Sequence, residues 1–217
     1  MRANVNTIKG IVFDMDNTLL QSHIDFQAMK CDVASYLIHN GVLPDSTSIA
    51  EHTTSTLLEA GRANGLTDEM YEAAMRIAQK HEVAGMEGAG LEAGAQELLS
   101  TLSGKYTLVI VTNNSFQAAR HALEITHIHP YFDLVIGREQ MQALKPSPSG
   151  YLAAKRQFPQ VQDDAWMSVG DSWMDGRASM EAGIPFISYG GTPEALAQKG
   201  VQAVAHIRHL LELLAYV

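Results

Sequence analysis

Asp14 and Asp16 stand one residue apart at the end of an apolar run, Ile11-Val12-Phe13, with Asn17 and Thr18 directly after them. Two acids at a strand tip repel each other and are costly to bury unless a cation compensates them. An all-oxygen site of this kind suits a hard divalent ion, Mg²⁺ before others. The same residues would also make an ordinary Asx-turn, in which Asp and Asn side chains bond the local backbone. Metal-dependent glycosyltransferases use an Asp-x-Asp pair as well. The rest of the chain decides, because phosphoryl transfer needs more parts than two acids. It needs a hydroxyl and backbone N–H groups for the phosphoryl oxygens, a lysine to neutralise charge, and further carboxylates.

Those parts follow in order. The run Tyr106 to Val111 ends in Thr112 and Asn113; the segment from Met141 leads into Lys145-Pro146; Trp166 to Val169 ends in Gly170-Asp171-Ser172, with Asp175 shortly beyond. Short continuous apolar runs read as buried strands of a parallel sheet, and strands alternating with helical patterns predict an α/β fold. In such sheets ligands bind beyond the carboxyl ends of the strands. A doubly wound parallel sheet would therefore bring Asp14, Asp16, Thr112, Asn113, Lys145, Asp171 and Asp175 to one edge.

The elements that must position them are legible in outline. Phe26, Met29, Val33, Leu37 and Ile38 recur at helical spacing up to Asn40-Gly41. Ser48-Ile49-Ala50-Glu51 has a capping-box pattern and predicts a helix through Leu57 and Leu58. Thr67-Asp68-Glu69 opens a third helix, and the glycines at 85, 88, 90 and 94 mark a hinge. Residues 21–90 are thus expected to form an all-helical insert, since about seventy residues is long for one crossover between strands. Residues 1–20 and 91–217 form the expected core domain. Within it, strands are predicted at Phe132 to Ile136, Ile184 to Ser188 and around Ala203 to Ala205. Helices are predicted after Ser115, from Pro148, after Ser172, from Thr192 and at the C-terminus.

The motifs together resemble the haloacid dehalogenase (HAD) superfamily of phosphohydrolases, in the subgroup with a small helical cap after the first strand. Asp14-Met15-Asp16-Asn17-Thr18-Leu19 resembles the first motif, Val111-Thr112-Asn113 the second, Lys145-Pro146 the third and Gly170 to Asp175 the fourth. The resemblance implies a Rossmann-like core and Mg²⁺-dependent hydrolysis of a small phosphorylated metabolite, in the manner of phosphoglycolate phosphatases. It implies Asp14 as nucleophile, forming an aspartyl-phosphate, and Asp16 as general acid and then base. Mg²⁺ would be held by Asp14, Asp171 and the Asp16 backbone carbonyl, with Asp175 completing or orienting the shell. Thr112 and the Asn113 backbone N–H would bind the phosphoryl oxygens, and Lys145 would neutralise the nucleophile and the phosphate. Asn17 stands where glycine is more usual, and asparagine also tolerates tight turns.

Asp16 argues against carbon–halogen cleavage, which delivers no proton to an oxygen. A phosphosugar mutase keeps both acids and stays open, as does a non-catalytic phospho-ligand sensor. A receiver module fits poorly, because a large insert follows the first strand. Gly85 to Gly90 has glycine spacing but lacks the Lys-Ser/Thr of a nucleotide-binding loop. Substrate choice is expected from Gln21, Ser22, His23, Asp25, Phe26, Met29 and Lys30, with Ser115 and Phe116 from the core. Histidines such as His127, His129, His206 and His209 read as surface or interface residues.

The bulk properties agree with this reading. The chain has 217 residues, 46% hydrophobic, and a net charge of −9, which argues against nucleic acid as a partner bound through a basic surface. No apolar run approaches the ~20 residues needed to cross a membrane. Cys31 is the lone cysteine, so no disulfide framework forms, and with no signal-peptide pattern the expected location is the cytoplasm. The oligomeric state is not encoded legibly.

Overall fold

The computed structural model describes residues 8–217; residues 1–7, part of the expected core domain, lie outside the described residues. The described chain forms two compact units, His23–Gly88 and the remainder.

The larger unit is built on a six-stranded parallel sheet. Its strands are β1 (Gly10–Phe13), β4 (Thr107–Val111), β5 (Leu134–Ile136), β6 (Trp166–Gly170), β7 (Phe186–Tyr189) and β8 (Ala205–Ile207), in the order β5-β4-β1-β6-β7-β8. A separate two-residue antiparallel ribbon pairs β2 (Leu20–Gln21) with β3 (Gly90–Leu91). The core helices are α4 (Ala95–Leu102), α5 (Phe116–Ile125), α6 (Ser149–Gln157), α7 (Trp173–Glu181) and α8 (Pro193–Gln198). From β1 the chain winds outward through β4 and β5, returns to β6 and winds the other way. The point of reversal therefore lies between β1 and β6, where a crevice opens at the strand ends.

Burial explains why these runs are apolar without alternation. Val12, Val109 and Val111 pack with Tyr151 and Ala154 of α6 and Ala178 of α7. Ile11, Phe13, Leu108 and Ile110 point to the opposite face and are equally buried. Gly10 begins β1 because Trp166, its register partner, lays its ring there; a Cβ at Gly10 would come within 2.5 Å of that ring.

The smaller unit is all helical: α1 (Phe26–His39), α2 (Thr54–Ala63) and α3 (Asp68–Met86). Met29, Val33 and Leu37 of α1, Leu57 and Leu58 of α2, and Ala74 and Ala78 of α3 are its buried side chains. A hydrogen bond joins His81 Nε2 to Asp32 Oδ2 at 2.8 Å, and an exposed ion pair joins Arg62 to Asp68 at 2.6 Å.

Several local expectations are corrected. Gln21 and Gly90 belong to the β2–β3 ribbon rather than to the helical insert, which is too short a pairing to leave an alternating pattern. The Ser48 side chain caps nothing; Ile49–Glu51 is a 3₁₀ turn, and the capping box is formed by Thr53 and Thr56 at the start of α2. The α6 helix starts at Ser149 with Pro148 as its N-cap. The Asp133 carboxylate accepts the Leu108 N–H at 2.9 Å, so β5 begins at Leu134 rather than Phe132. The last strand lies at Ala205–Ile207, and Leu210–Ala215 is 3₁₀ rather than α-helical. Among the described residues, no helix is long and apolar enough to cross a membrane.

Candidate active site

Asp14 is the residue after β1 and Asp171 the residue after β6, so adjacent parallel strands deliver the two carboxylates to the point of reversal. The Asp14 N–H continues the sheet by donating to the Val169 carbonyl at 2.9 Å. Asp175 reaches the same place from the first turn of α7. Ser172 N-caps that helix, and its N–H and hydroxyl donate to Asp175 Oδ2 at 3.1 and 2.7 Å. A glycine must stand at 170, because a Cβ there would lie 2.6 Å from the Asp175 carboxyl carbon. Asp14, Asp171 and Asp175 each place a carboxylate oxygen within 4.8 Å of the other two.

Lys145 sits among them. Its ammonium donates to Asp14 Oδ1 at 2.5 Å, to Asp175 Oδ1 at 2.7 Å and to the Val111 carbonyl at 2.9 Å, which uses all three of its N–H groups. Lys145 is not at a strand end: it follows β5 by nine positions, in irregular chain. The Asn113 side chain holds it there. Its amide accepts the Lys145 N–H at 2.7 Å and donates to the Lys145 carbonyl at 3.0 Å. Thr18, whose hydroxyl donates to Asp14 Oδ2 at 3.2 Å, holds the other Asp14 oxygen.

Thr112 follows β4, and its hydroxyl oxygen accepts the Asn114 N–H at 3.2 Å. The Asn114 side chain donates to Asp16 Oδ2 at 2.6 Å. The Asp16 carboxylate is thus tied to the Thr112–Asn114 loop, outside the trio of clustered acids. Thr18 stands inside the first motif without a role read for it, and Asn114 carried no recognisable signal. The one follows the double acid as an ordinary turn residue, and the other precedes Ser115, an N-cap. Of the residues expected to set specificity, Asp25 caps α1 through the Ala28 N–H, Met29 is buried, and Ser115 caps α5 through the Ala118 N–H.

The electrostatics are unbalanced in one direction. Burial, with Asp175 and Asp16 nearby, raises the Asp14 pKa to about 7 despite the lysine. Burial and the charges of Asp14 and Asp175 raise Asp171 to about 8. Burial works against the Lys145 ammonium, but Asp14 and Asp175 outweigh it and hold its pKa well above the usual value. One cation thus faces three carboxylates, a deficit that a hard divalent ion with oxygen ligands would fill.

The sign of the pH dependence follows. Between pH ~4 and ~8 the folded state holds protons on Asp14 and Asp171 that the unfolded chain has released, so stability falls as pH rises through that window. In EDTA the melting temperature should drop by about 5 °C or more from pH 5 to pH 8. Adding Mg²⁺ at pH 8 should restore it, and Asp171→Asn should flatten the slope. Thermal unfolding across the pH range checks this; a melting temperature that holds level or rises toward pH 8 contradicts it.

The haloacid dehalogenase-like hydrolase family model matches residues 11–189. A phosphoglycolate phosphatase of Shigella dysenteriae is 29% identical over 205 residues, covering 83% of this chain and 80% of that protein. Among solved structures, a HAD-superfamily hydrolase of subfamily IA from Geobacter sulfurreducens superposes with a TM-score of 0.64. It shares 21% identity and covers 97% of this chain and all of its own, a likeness of fold. A haloacid dehalogenase-like family hydrolase from Streptococcus pneumoniae gives 0.63 at 23% identity, covering 97% and 98%.

Proposed function

We propose that this chain, which belongs to the haloacid dehalogenase-like hydrolase family, is a Mg²⁺-dependent phosphatase acting on a small phosphomonoester through an aspartyl-phosphate. The observation that carries the reading is the trio Asp14, Asp171 and Asp175 clustered at the sheet's point of reversal, with the Lys145 ammonium paired to Asp14 and Asp175. The donor chemistry fits the metal: carboxylate oxygens only, partly buried, with more negative charge than the lysine offsets. Asp14 and Asp171 would hold the ion together with the Asp16 backbone carbonyl, while Asp175, engaged by Lys145 and Ser172, completes or orients the shell. When bound, Mg²⁺ supplies charge neutralisation at the nucleophile and the phosphoryl oxygens.

The residues then divide the work. Asp14 attacks phosphorus with a carboxylate oxygen. Lys145 and Thr18 hold that carboxylate in one orientation. Thr112 and the Asn113 backbone N–H bind phosphoryl oxygens, while the Asn113 side chain keeps Lys145 in register. Asp16 protonates the departing ester oxygen and then takes a proton from the water that hydrolyses the acyl phosphate. The helical unit is read as a cap that governs substrate entry. Similarity to phosphoglycolate phosphatases supports a small, anionic organic phosphate as substrate.

The test is release of inorganic phosphate from a panel of small esters, 2-phosphoglycolate and 4-nitrophenyl phosphate included. Hydrolysis is expected with Mg²⁺, lost in EDTA and regained when Mg²⁺ is restored. Turnover indifferent to EDTA would remove the metal from the reading. Transfer of the phosphoryl group to a second sugar hydroxyl would make the protein a mutase, and binding without turnover would make it a sensor.

A further inference from the structure

We infer that Asn114 is a positioning residue for the general acid, and that this asparagine selects which oxygen of Asp16 carries the transferable proton. The inference rests on Asp16 being the general acid, as proposed above. Asn114 is 4% exposed, and its Nδ2–H donates to Asp16 Oδ2 at 2.6 Å, a bond joining chain positions 98 apart. Its backbone is anchored on both sides. The Asn114 N–H donates to Thr112 Oγ1 at 3.2 Å, and the Asn114 carbonyl accepts the Arg138 N–H at 2.9 Å. The donor is therefore fixed, not swinging on a free loop, and the residue that anchors it is the same Thr112 assigned to the phosphoryl oxygens.

A side-chain amide nitrogen can only donate. Its bond to Oδ2 makes Oδ2 the accepting oxygen of Asp16 and leaves the acid's proton to Oδ1. In the first half-reaction a new bond forms between an Asp14 oxygen and phosphorus. The bond from phosphorus to the ester oxygen breaks, its electron pair leaves on that oxygen, and the Asp16 proton passes there. A carboxyl free to rotate would present its proton in the right direction only part of the time, and orientation of this kind is a recognised part of rate enhancement. Two neighbouring asparagines would then serve different partners: Asn113 the Lys145 backbone, Asn114 the Asp16 carboxyl.

The experiment compares kcat/KM for an alkyl phosphate and for 4-nitrophenyl phosphate, at saturating Mg²⁺, in the wild type, Asn114→Ala, Asn114→Leu and Asp16→Asn. This ratio reports only the steps up to loss of the leaving group. An alkoxide needs the proton, whereas 4-nitrophenolate departs without it. Asp16→Asn should lower the alkyl value about 100-fold or more and the aryl value by under about 10-fold. Asn114→Ala should repeat that selectivity on a smaller scale, with about a 10-fold loss for the alkyl ester and under about 3-fold for the aryl. Asn114→Leu keeps the shape without the donor and should match Asn114→Ala. It decides the matter if the alanine variant fails to fold, as judged by thermal unfolding. Equal losses for the two esters in the Asn114 variants, with Asp16→Asn still selective, would overturn the inference: Asn114 would then only tie its loop. A non-selective loss in Asp16→Asn would instead remove Asp16 from the acid's role, and the inference would fall with that assignment.

Discussion

Asp14→Asn should abolish phosphoester hydrolysis while leaving the fold intact. The loss in kcat is expected at about 10⁴-fold or more, the scale on which removal of a covalent nucleophile acts. An amide oxygen is too weak a nucleophile toward phosphorus, and no other clustered carboxylate can replace it. Asp175 is occupied by Lys145 and Ser172. Asp171 sits one strand over, on β6 rather than β1. The stability of the same variant should move in the opposite direction. In the metal-free protein the buried Asp14 carboxyl titrates near pH 7, well above its ordinary range, so keeping it ionised at pH 8 weakens the fold. A neutral isostere removes that penalty and leaves Lys145 its bonds to Asp175 and the Val111 carbonyl. The melting temperature of Asp14→Asn in EDTA at pH 8 should therefore be no lower than that of the wild type. Activity surviving the substitution would sink the covalent mechanism. Activity lost together with a collapse in melting temperature would show that Asp14 matters chiefly to the fold.

The split between activity and stability also bears on what was readable in the chain. The parallel sheet was legible because β1, β4 and β6 are buried on both faces and so are apolar runs, interrupted in β6 only by Ser168, whose hydroxyl pairs with that of Ser179. Their ends were legible for the same reason: Asp14, Thr112 and Asp171 are where the apolar run stops. Lys145 was not visible in that way. It lies in irregular chain well past β5, and only its place in a linear motif, Lys145-Pro146, marked it. What carries it to Asp14 is the Asn113 amide, a contact across 32 positions with no periodic trace. Asn114 and Thr18 escaped for a related reason. Each is a residue type common in turns, and each acts through a single hydrogen bond to a partner that spacing does not predict. The C-terminal 3₁₀ segment illustrates the limit for secondary structure: Leu210 and Leu213 are buried at a spacing of three, a pattern that α and 3₁₀ helices share.

Lys145→Met should produce the other large effect, and its size should depend on pH. Lys145 is 3% exposed and its ammonium bonds two carboxylates and a backbone carbonyl, so an apolar side chain of similar length fills the space but leaves the charges unanswered. Breaking a buried pair by removing one partner costs about 3–5 kcal/mol. In EDTA at pH 8 that full penalty is expected, because Asp14, Asp171 and Asp175 then face one another with no cation. Near pH 5 Asp14 and Asp171 take up protons and most of the penalty should vanish. The variant's loss of melting temperature with rising pH should therefore be steeper than the wild type's. Mg²⁺ should still bind, since a more negative cluster attracts it more strongly, yet kcat should fall about 10³-fold, because the group that neutralises the nucleophile and the phosphate is gone. Combining Lys145→Met with Asp14→Asn separates the two effects. If the lysine chiefly answers the charge of Asp14, Lys145→Met should cost much less in the Asp14→Asn background than in the wild type at pH 8, so that the double variant is more stable than the two single effects sum to. An equal cost of Lys145→Met in both backgrounds would mean that Lys145 acts through Asp175 and the Val111 carbonyl, holding α7 and β4 in register rather than balancing Asp14.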